Sequence, residues 1–301
     1  MVQQAAQVAE LRDSIVKEVF DALGFPNHTA LRQFVSPLFR LPVDRFATLA
    51  SQFDQLVAGS GFPAACRWIL PRFVEGTVVD GAGRIPAAGP LLVPCNHPGA
   101  YDGLAVVAAL PRNDLKIVVS GIPLTRNLPA AARHFIFATA DPHGRMGAVR
   151  AMIRHLRDGG AILIFPSGKV DPDPAILPGA HAALEAWSPS LELILRKVPQ
   201  AMVQVAIVSG VLSPASLRNP LIRLQKGWRR LKLAEFIQVF QQLLFANKLA
   251  LTPRVSFGEP FPATELCDEQ SAASELQSLI QRAQSLLNAH TESFASRLVA
   301  G

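Results

Sequence analysis

Charge is scarce in this sequence: Asp, Glu, Lys and Arg make up 17% of 301 residues, while 50% are hydrophobic. A disordered chain needs the reverse, so a packed core is expected. The length allows one large domain with an appendage, or two modest ones. Cysteine is scarce too. Cys66, Cys95 and Cys267 show no pairing pattern, which argues against a disulfide scaffold and fits a reducing compartment. No His or Cys pair has metal-ligand spacing, so no metal is expected. A glycine-rich loop for a dinucleotide or nucleoside triphosphate is also missing, as are fixed-period repeats and low-complexity tracts. The opening MVQQAAQVAELRD has neither the basic nor the apolar region of a secretory leader, so none is expected.

Apolar runs of the kind a bilayer requires are absent as well. The longest charge-free run, Val198 to Leu217, contains Pro199, Gln200, Gln204, Gly210 and Pro214. Hydrocarbon would leave those polar groups unpaired, so the run reads as a buried strand followed by a turn. Acids and bases balance except in one place. Between Arg218 and Ala234 stand Arg218, Arg223, Lys226, Arg229, Arg230 and Lys232 with no acid, which equals the whole formal charge of +6. Such a patch fits an anionic surface or ligand, or a solvated face. Within it, Pro220–Leu233 interleaves Leu221, Ile222, Leu224, Trp228, Leu231 and Leu233 with cations. It reads either as a basic helix in a headgroup layer or as an amphipathic helix docked on a sheet. Cys66–Arg72 is a weaker second candidate for membrane contact. Few aromatics accompany the basic patch and no recognition motif is present, so no nucleic-acid partner is expected.

Periodicity divides the chain into three parts. Val8, Leu11, Ile15, Val19 and Leu23 recur at helical steps before Gly24 and Pro26. Phe46, Leu49, Phe53 and Leu56 do so before Gly59 and Gly61, and Pro37 and Pro42 are expected to break the stretch between into short pieces. Residues 1–72 therefore read as a helical N-terminal appendage. From Phe73 short apolar runs alternate with helix-length segments: Val74–Val79, Leu91–Pro94, Ile117–Val119, Phe135–Ala138, Ala161–Phe165 and Val203–Val208. This is the pattern of an α/β fold with a mixed, largely parallel sheet flanked by helices, expected over residues 73–262. Helices are expected at Gly103–Leu110, Gly147–Arg157, His181–Ala186 and Leu231–Leu249, and a last strand at Arg254–Phe257. Leu276, Ile280 and Leu287 mark a closing helix within 263–301, packed on the domain.

Two strand ends carry candidate chemistry. The segment Asn96-His97-Pro98-Gly99-Ala100-Tyr101-Asp102 follows the run Leu91–Pro94 and precedes a helix, the edge where α/β folds place their sites. Pro98 and Gly99 favour a tight turn, so Asp102 can fold back onto the His97 ring. A carboxylate on one ring nitrogen fixes the tautomer and frees the other to take a proton from a hydroxyl. A His followed by a helix-capping Asp gives the same spacing. The second segment, Phe165-Pro166-Ser167-Gly168-Lys169, follows Ala161–Phe165. Its small residues could turn backbone N–H groups on an anion beside the Lys169 charge; a plain β-turn is the alternative. Arg145, in Asp141-Pro142-His143-Gly144-Arg145, is a second cation for that cleft, and His143 could approach a phosphate. His134 and His155 read as packing or surface residues. Cys95 lies near His97, but nothing activates a thiolate there. No Gly-x-Ser-x-Gly elbow is present.

The order of Asn96–Asp102, Phe165–Lys169 and Val203-Gln204-Val205-Ala206 resembles the glycerolipid acyltransferases, the glycerol-3-phosphate and lysophosphatidate acyltransferases with a His-x4-Asp motif. The resemblance covers roughly residues 74 to 262. It implies that His97 deprotonates the acceptor hydroxyl, Asp102 orients it, and the hydroxyl attacks an acyl thioester carried by coenzyme A or acyl carrier protein, with no cofactor. It also implies that Ser167, Gly168, Lys169 and Arg145 hold the acceptor, glycerol 3-phosphate or a lysophospholipid. The family's usual third motif is Phe-Pro-Glu-Gly-Thr-Arg; here Ser167 stands for Glu, and Lys169 and Val170 for Thr and Arg. The plastid glycerol-3-phosphate acyltransferases are similar in carrying Pro-Ser-Gly there and a helical N-terminal domain. A cytoplasmic location on the inner face of the membrane, with peripheral contact through Pro220–Leu233, is the corresponding expectation. Two other readings remain open: a non-catalytic lipid-binding protein of the same fold, and a thioester hydrolase using the same pair on water.

Overall fold

A computed structural model describes residues 10–17, 29–120, 123–139, 141–245, 249–266 and 274–299. Three helices, α1 (10–17), α2 (Thr29–Ser60) and α3 (Phe62–Ile69), precede β1 (Val78–Asp80). Then come β2 (Leu91–Pro94), α4 (Asp102–Ala109), β3 (Lys116–Ser120), the single turn α5 (Pro123–Arg126), β4 (Phe135–Ala138) and α6 (Pro142–Arg157). These are followed by β5 (Ala161–Ile164), α7 (Ala180–Glu185), α8 (Ser190–Lys197), β6 (Met202–Val203), β7 (Ala206–Ser209) and the single turn α9 (Pro214–Leu217). Helix α10 (Trp228–Leu244), β8 (Arg254–Phe257), β9 (Phe261–Pro262) and α11 (Glu275–Val299) close the order.

The larger sheet runs β4-β3-β5-β2-β6-β9, parallel except for the β6–β9 pair, and a smaller one runs β1-β8-β7. They meet at a parallel bridge between Cys95 and Ala206, just past the end of β2. Successive side chains of a strand face opposite sides, and β2 and β5 use both. Leu91, Val93, Ala161 and Leu163 join the cluster formed with α2, α3 and α4. Leu92, Ile162 and Ile164 join the opposite cluster with α6, α7, α8 and α11. The expected α/β fold, a largely parallel sheet between helices, is the observed one. Leu11 and Ile15 of α1 belong to the first cluster too, so the N-terminal helices share their core with the sheet. Val8, Val19, Leu23, Gly24 and Pro26 lie outside the described residues.

Three sequence expectations are corrected. Pro37 and Pro42 do not fragment the second helix, since both lie within α2. Each interior proline costs about 3 kcal/mol or more through a lost hydrogen bond and a clash. The helix persists because Val43, Ala47, Ala50, Phe53 and Val57, spaced three or four apart, are all buried. The first strand begins at Val78 rather than Val74, whose N–H instead donates to Leu70 O (3.0 Å). The run Val203–Val208 is interrupted between β6 and β7 at the buried Gln204, whose Nε2 donates to Gly258 O (3.0 Å). No helix among the described residues is long and apolar enough to cross a membrane.

Candidate active site

The parallel strands β2, β3, β4 and β5 end at one edge, and the candidate residues follow three of them. After β2 the backbone needs a device to leave the sheet without orphaning its partner. Asn96 supplies it: Nδ2 donates to Val208 O (2.9 Å) and Oδ1 accepts from Val208 N–H (2.7 Å), imitating one more rung of ladder against β7. The chain then turns through Pro98 and Gly99 into α4. Asp102 folds back, as its spacing predicts, and its Oδ2 lies 2.8 Å from His97 Nδ1. The same oxygen accepts the Gly99 N–H (2.9 Å), and Oδ1 accepts the Gly103 N–H. Asp102 is 2% exposed whereas His97 is 31% exposed. One edge of the imidazole is therefore fixed, and Nε2 has no protein partner among the described residues. Phe165 stacks on the ring at 4.5 Å, so the second motif packs against the first.

Electrostatics set the proton affinity of this ring. Burial works against an imidazolium, but the Asp102 charge and hydrogen bond, reinforced by Glu235 and Asp171, outweigh it and raise His97 to about 9. Asp171 is buried and tied to His97 twice: its Oδ2 accepts the His97 N–H (2.9 Å), and its own N–H donates to His97 O (2.7 Å). Asp173, also buried, gathers backbone N–H groups from Ala175, Gly210, Val211 and Leu212 at 2.9–3.1 Å. These two acids clamp the loop after Phe165 to the His97 turn and to the end of β7.

The Phe165–Lys169 loop is a hydrogen-bonded turn. Gly168, at φ 65°, donates its N–H to Phe165 O (3.1 Å), and Ser167 Oγ donates to Lys169 O (2.9 Å). The Gly168 amide is thus engaged inside the loop. The Lys169 side chain is left exposed. Arg145 is not brought to this loop by any hydrogen bond among the described residues. It is exposed on the first turn of α6, which Asp141 caps through Gly144 N–H (2.8 Å). That turn follows β4, two strands from β5 and so roughly 10 Å away. His143 is exposed on the same turn. His134 Nδ1 bonds Leu115 O and His155 Nε2 bonds Asp114 O, both in packing positions. Burial pushes the Cys95 thiol well above its ordinary value, so it stays protonated. Cys267 lies outside the described residues. Among the described residues no three His, Cys, Asp or Glu side chains are gathered so as to hold a metal.

Beside the His97 turn lies a cavity of about 270 Å³. Its wall is almost wholly apolar: Phe46, Ala50 and Phe53 of α2, Ala100 and Tyr101 of the turn, and Phe236, Val239, Phe240 and Leu243 of α10 contribute to it, with Glu235 as its one carboxyl. Tyr101, for which the sequence suggests no role, stacks on Phe73 (5.3 Å) and bonds Gln242.

Residues 76–199 match the family model described as Acyltransferase. This stretch, less than half of the chain, is similar to that family. The acyltransferase match contains both strand-end motifs, while Glu235 and the basic segment lie beyond it. Among solved structures, a 1-acyl-sn-glycerophosphate (LPA) acyltransferase, PlsC, from Thermotoga maritima is similar over 94% of this chain and 98% of that chain, at 14% identity and a TM-score of 0.42. A search of curated proteins finds no significant match.

The raised His97 affinity has a measurable consequence. Relative to its ordinary 6.5, the folded group gains protonation stability that is fully present below pH 6.5 and is lost as pH rises through about 9. NMR titration of the ring is expected to show a midpoint near 9 in the wild type and a fall of at least about one unit in Asp102→Asn, where the ion pair is gone. An unchanged midpoint in the variant would contradict the assigned cause.

Proposed function

We propose that this chain transfers a fatty acyl group from an acyl thioester, carried by coenzyme A or acyl carrier protein, to a hydroxyl of glycerol 3-phosphate or a lysophospholipid in glycerolipid biosynthesis. One observation carries the reading: a half-open imidazole, fixed at Nδ1 by a buried carboxylate, stands in the same turn that walls a narrow apolar cavity. The acyltransferase match over residues 76–199 supports it.

In this mechanism Nε2 of neutral His97 takes the acceptor's hydroxyl proton as the oxygen attacks the thioester carbonyl. The imidazolium that forms is stabilised by Asp102, then returns the proton to the departing thiolate. One C–O bond forms and one C–S bond breaks, with no redox change. Lys169, exposed beside the stacked Phe165, supplies a cation for the acceptor phosphate; Arg145 is the more distant partner. With His97 held near 9, roughly one ring in a hundred is neutral at pH 7, so turnover climbs as pH rises from neutrality.

The basic segment supports a peripheral membrane contact. It is not one helix: Pro220–Leu224 is a 3-10 turn and α10 begins at Trp228, after Gly227 at φ 56° breaks the chain. Ile222 and Leu233 are buried, while Leu221, Leu224 and Trp228 are 51%, 60% and 44% exposed among Arg218, Arg223, Lys226, Arg229 and Arg230. In the weaker segment, Arg72 covers the Trp68 ring at 3.5 Å, which occupies that cation.

Purified protein with labelled long-chain acyl-CoA and a panel of acceptors is expected to yield acylated acceptor, and His97→Ala to lose about 10³-fold or more in kcat/KM. Equal turnover by the variant contradicts the mechanism; free fatty acid without acylated acceptor favours the hydrolase reading, and retained lipid without turnover the binding-protein reading. Vesicles containing anionic lipid should sediment the protein, and Leu221→Ala/Leu224→Ala/Trp228→Ala should release it, as should added salt. Sedimentation that ignores both changes removes this segment as the contact.

A further inference from the structure

Glu235 is the acid that ends the acid-free run from Arg218 to Ala234, and α10 carries it into the wall of the apolar cavity. Its Oε1 is buried with no hydrogen-bond partner. That oxygen stands directly against the catalytic turn: a Cβ on Gly99 would lie 3.0 Å from it. The Gly99 N–H is already engaged by Asp102, and Tyr101, the other ionisable residue in the cavity wall, is engaged by Gln242. An orphaned carboxyl oxygen in the wall of an apolar cavity requires an explanation, and the described residues supply this oxygen no partner.

We propose that Glu235 is a further catalytic residue of the reaction: its neutral carboxyl donates a hydrogen bond to the carbonyl oxygen of the acyl thioester whose chain fills the cavity. This rests on the acyl-transfer reading above. As the acceptor oxygen attacks, the carbonyl electron pair moves onto that oxygen; the hydrogen bond strengthens without proton transfer, and the pair returns as the C–S bond breaks. A carboxyl can serve as such a donor only while protonated. Burial favours that state, and raises Glu235 to about 8 against the opposing charges of His97 and Lys232, with Asp102 adding to the rise. His97 faces Glu235, Asp102 and Asp171 in turn, so both groups of the proposed constellation titrate in one alkaline window.

The test uses the full chain, long-chain acyl-CoA and whichever acceptor the wild type acylates, with kcat and KM measured from about pH 6 to 10 and thermal melting as a control of folding. Glu235→Leu removes the donor and is expected to lose about 10²-fold or more in kcat, with a smaller change in KM. Glu235→Gln keeps a donor that does not titrate; it should remain within about tenfold of wild type. The wild-type rate should decline on the alkaline side as Glu235 ionises, while the Gln variant shows a rising limb alone, moved to lower pH. Wild-type kcat in Glu235→Leu overturns the proposal, as does an alkaline decline retained in Glu235→Gln, which decides the matter even where Glu235→Leu fails to fold. Either of these with an active wild type refutes the Glu235 assignment alone. A wild type that acylates no acceptor refutes the acyl-transfer reading and this proposal together.

Discussion

One carboxylate organises the edge of the sheet where the site lies. Asp102 accepts the His97 imidazole and the backbone N–H groups of Gly99 and Gly103, so a single buried group closes the turn, begins α4 and holds the ring. Removing it would release all three at once, leaving buried donors unpaired. Because His97 is also held through its backbone by Asp171, the ring is fixed from both sides while one nitrogen stays open. That combination, a rigid ring with one free nitrogen, is what a general base requires.

The surrounding fold explains why the ring is placed beside an apolar space. Helix α4 starts at Asp102, and the turn before it gives Ala100 and Tyr101 to the cavity wall, which α2 and α10 complete. Arg45 of α2 donates to Leu243 O of α10 (2.6 Å), tying those two walls together. Helix α10 also begins at the exposed Trp228, so one rigid element links the basic, partly apolar edge to the interior of the cavity. A lipid substrate would meet the charged edge and the apolar interior on the same helix.

Much of this was legible in the sequence. Strands β2 and β4 follow their continuous apolar runs residue for residue, because a largely buried strand leaves little room for polar interruption. The His97–Asp102 approach was legible because it is local: five residues with Pro and Gly between them. The continuity of α2 was not, since local propensity condemns Pro42 while distant packing against α10 and α3 rescues it. The interrupted strand at Gln204 was hidden for the same reason, its Nε2 finding a partner in Gly258 O, far along the chain. Asp171-Pro172-Asp173-Pro174 carried a visible signal, two acids between prolines directly after the second motif, and the spacing of Leu191, Ile194 and Leu195 likewise marks α8. Glu235 carried none, because only tertiary burial distinguishes it from a solvated helix acid.

The central claim is that a fatty acyl chain lies in this cavity with its carbonyl at His97. The most direct measurement is a crystal structure of the protein with a non-hydrolysable thioether analogue of a long-chain acyl-CoA. The account predicts continuous density for the chain between α2 and α10, with the carbonyl oxygen in hydrogen-bond reach of Glu235 and the carbonyl carbon beside His97 Nε2. A chain lodged instead in the cavity bounded by Pro174, Arg254 and His290, with the space between α2 and α10 empty, would contradict it.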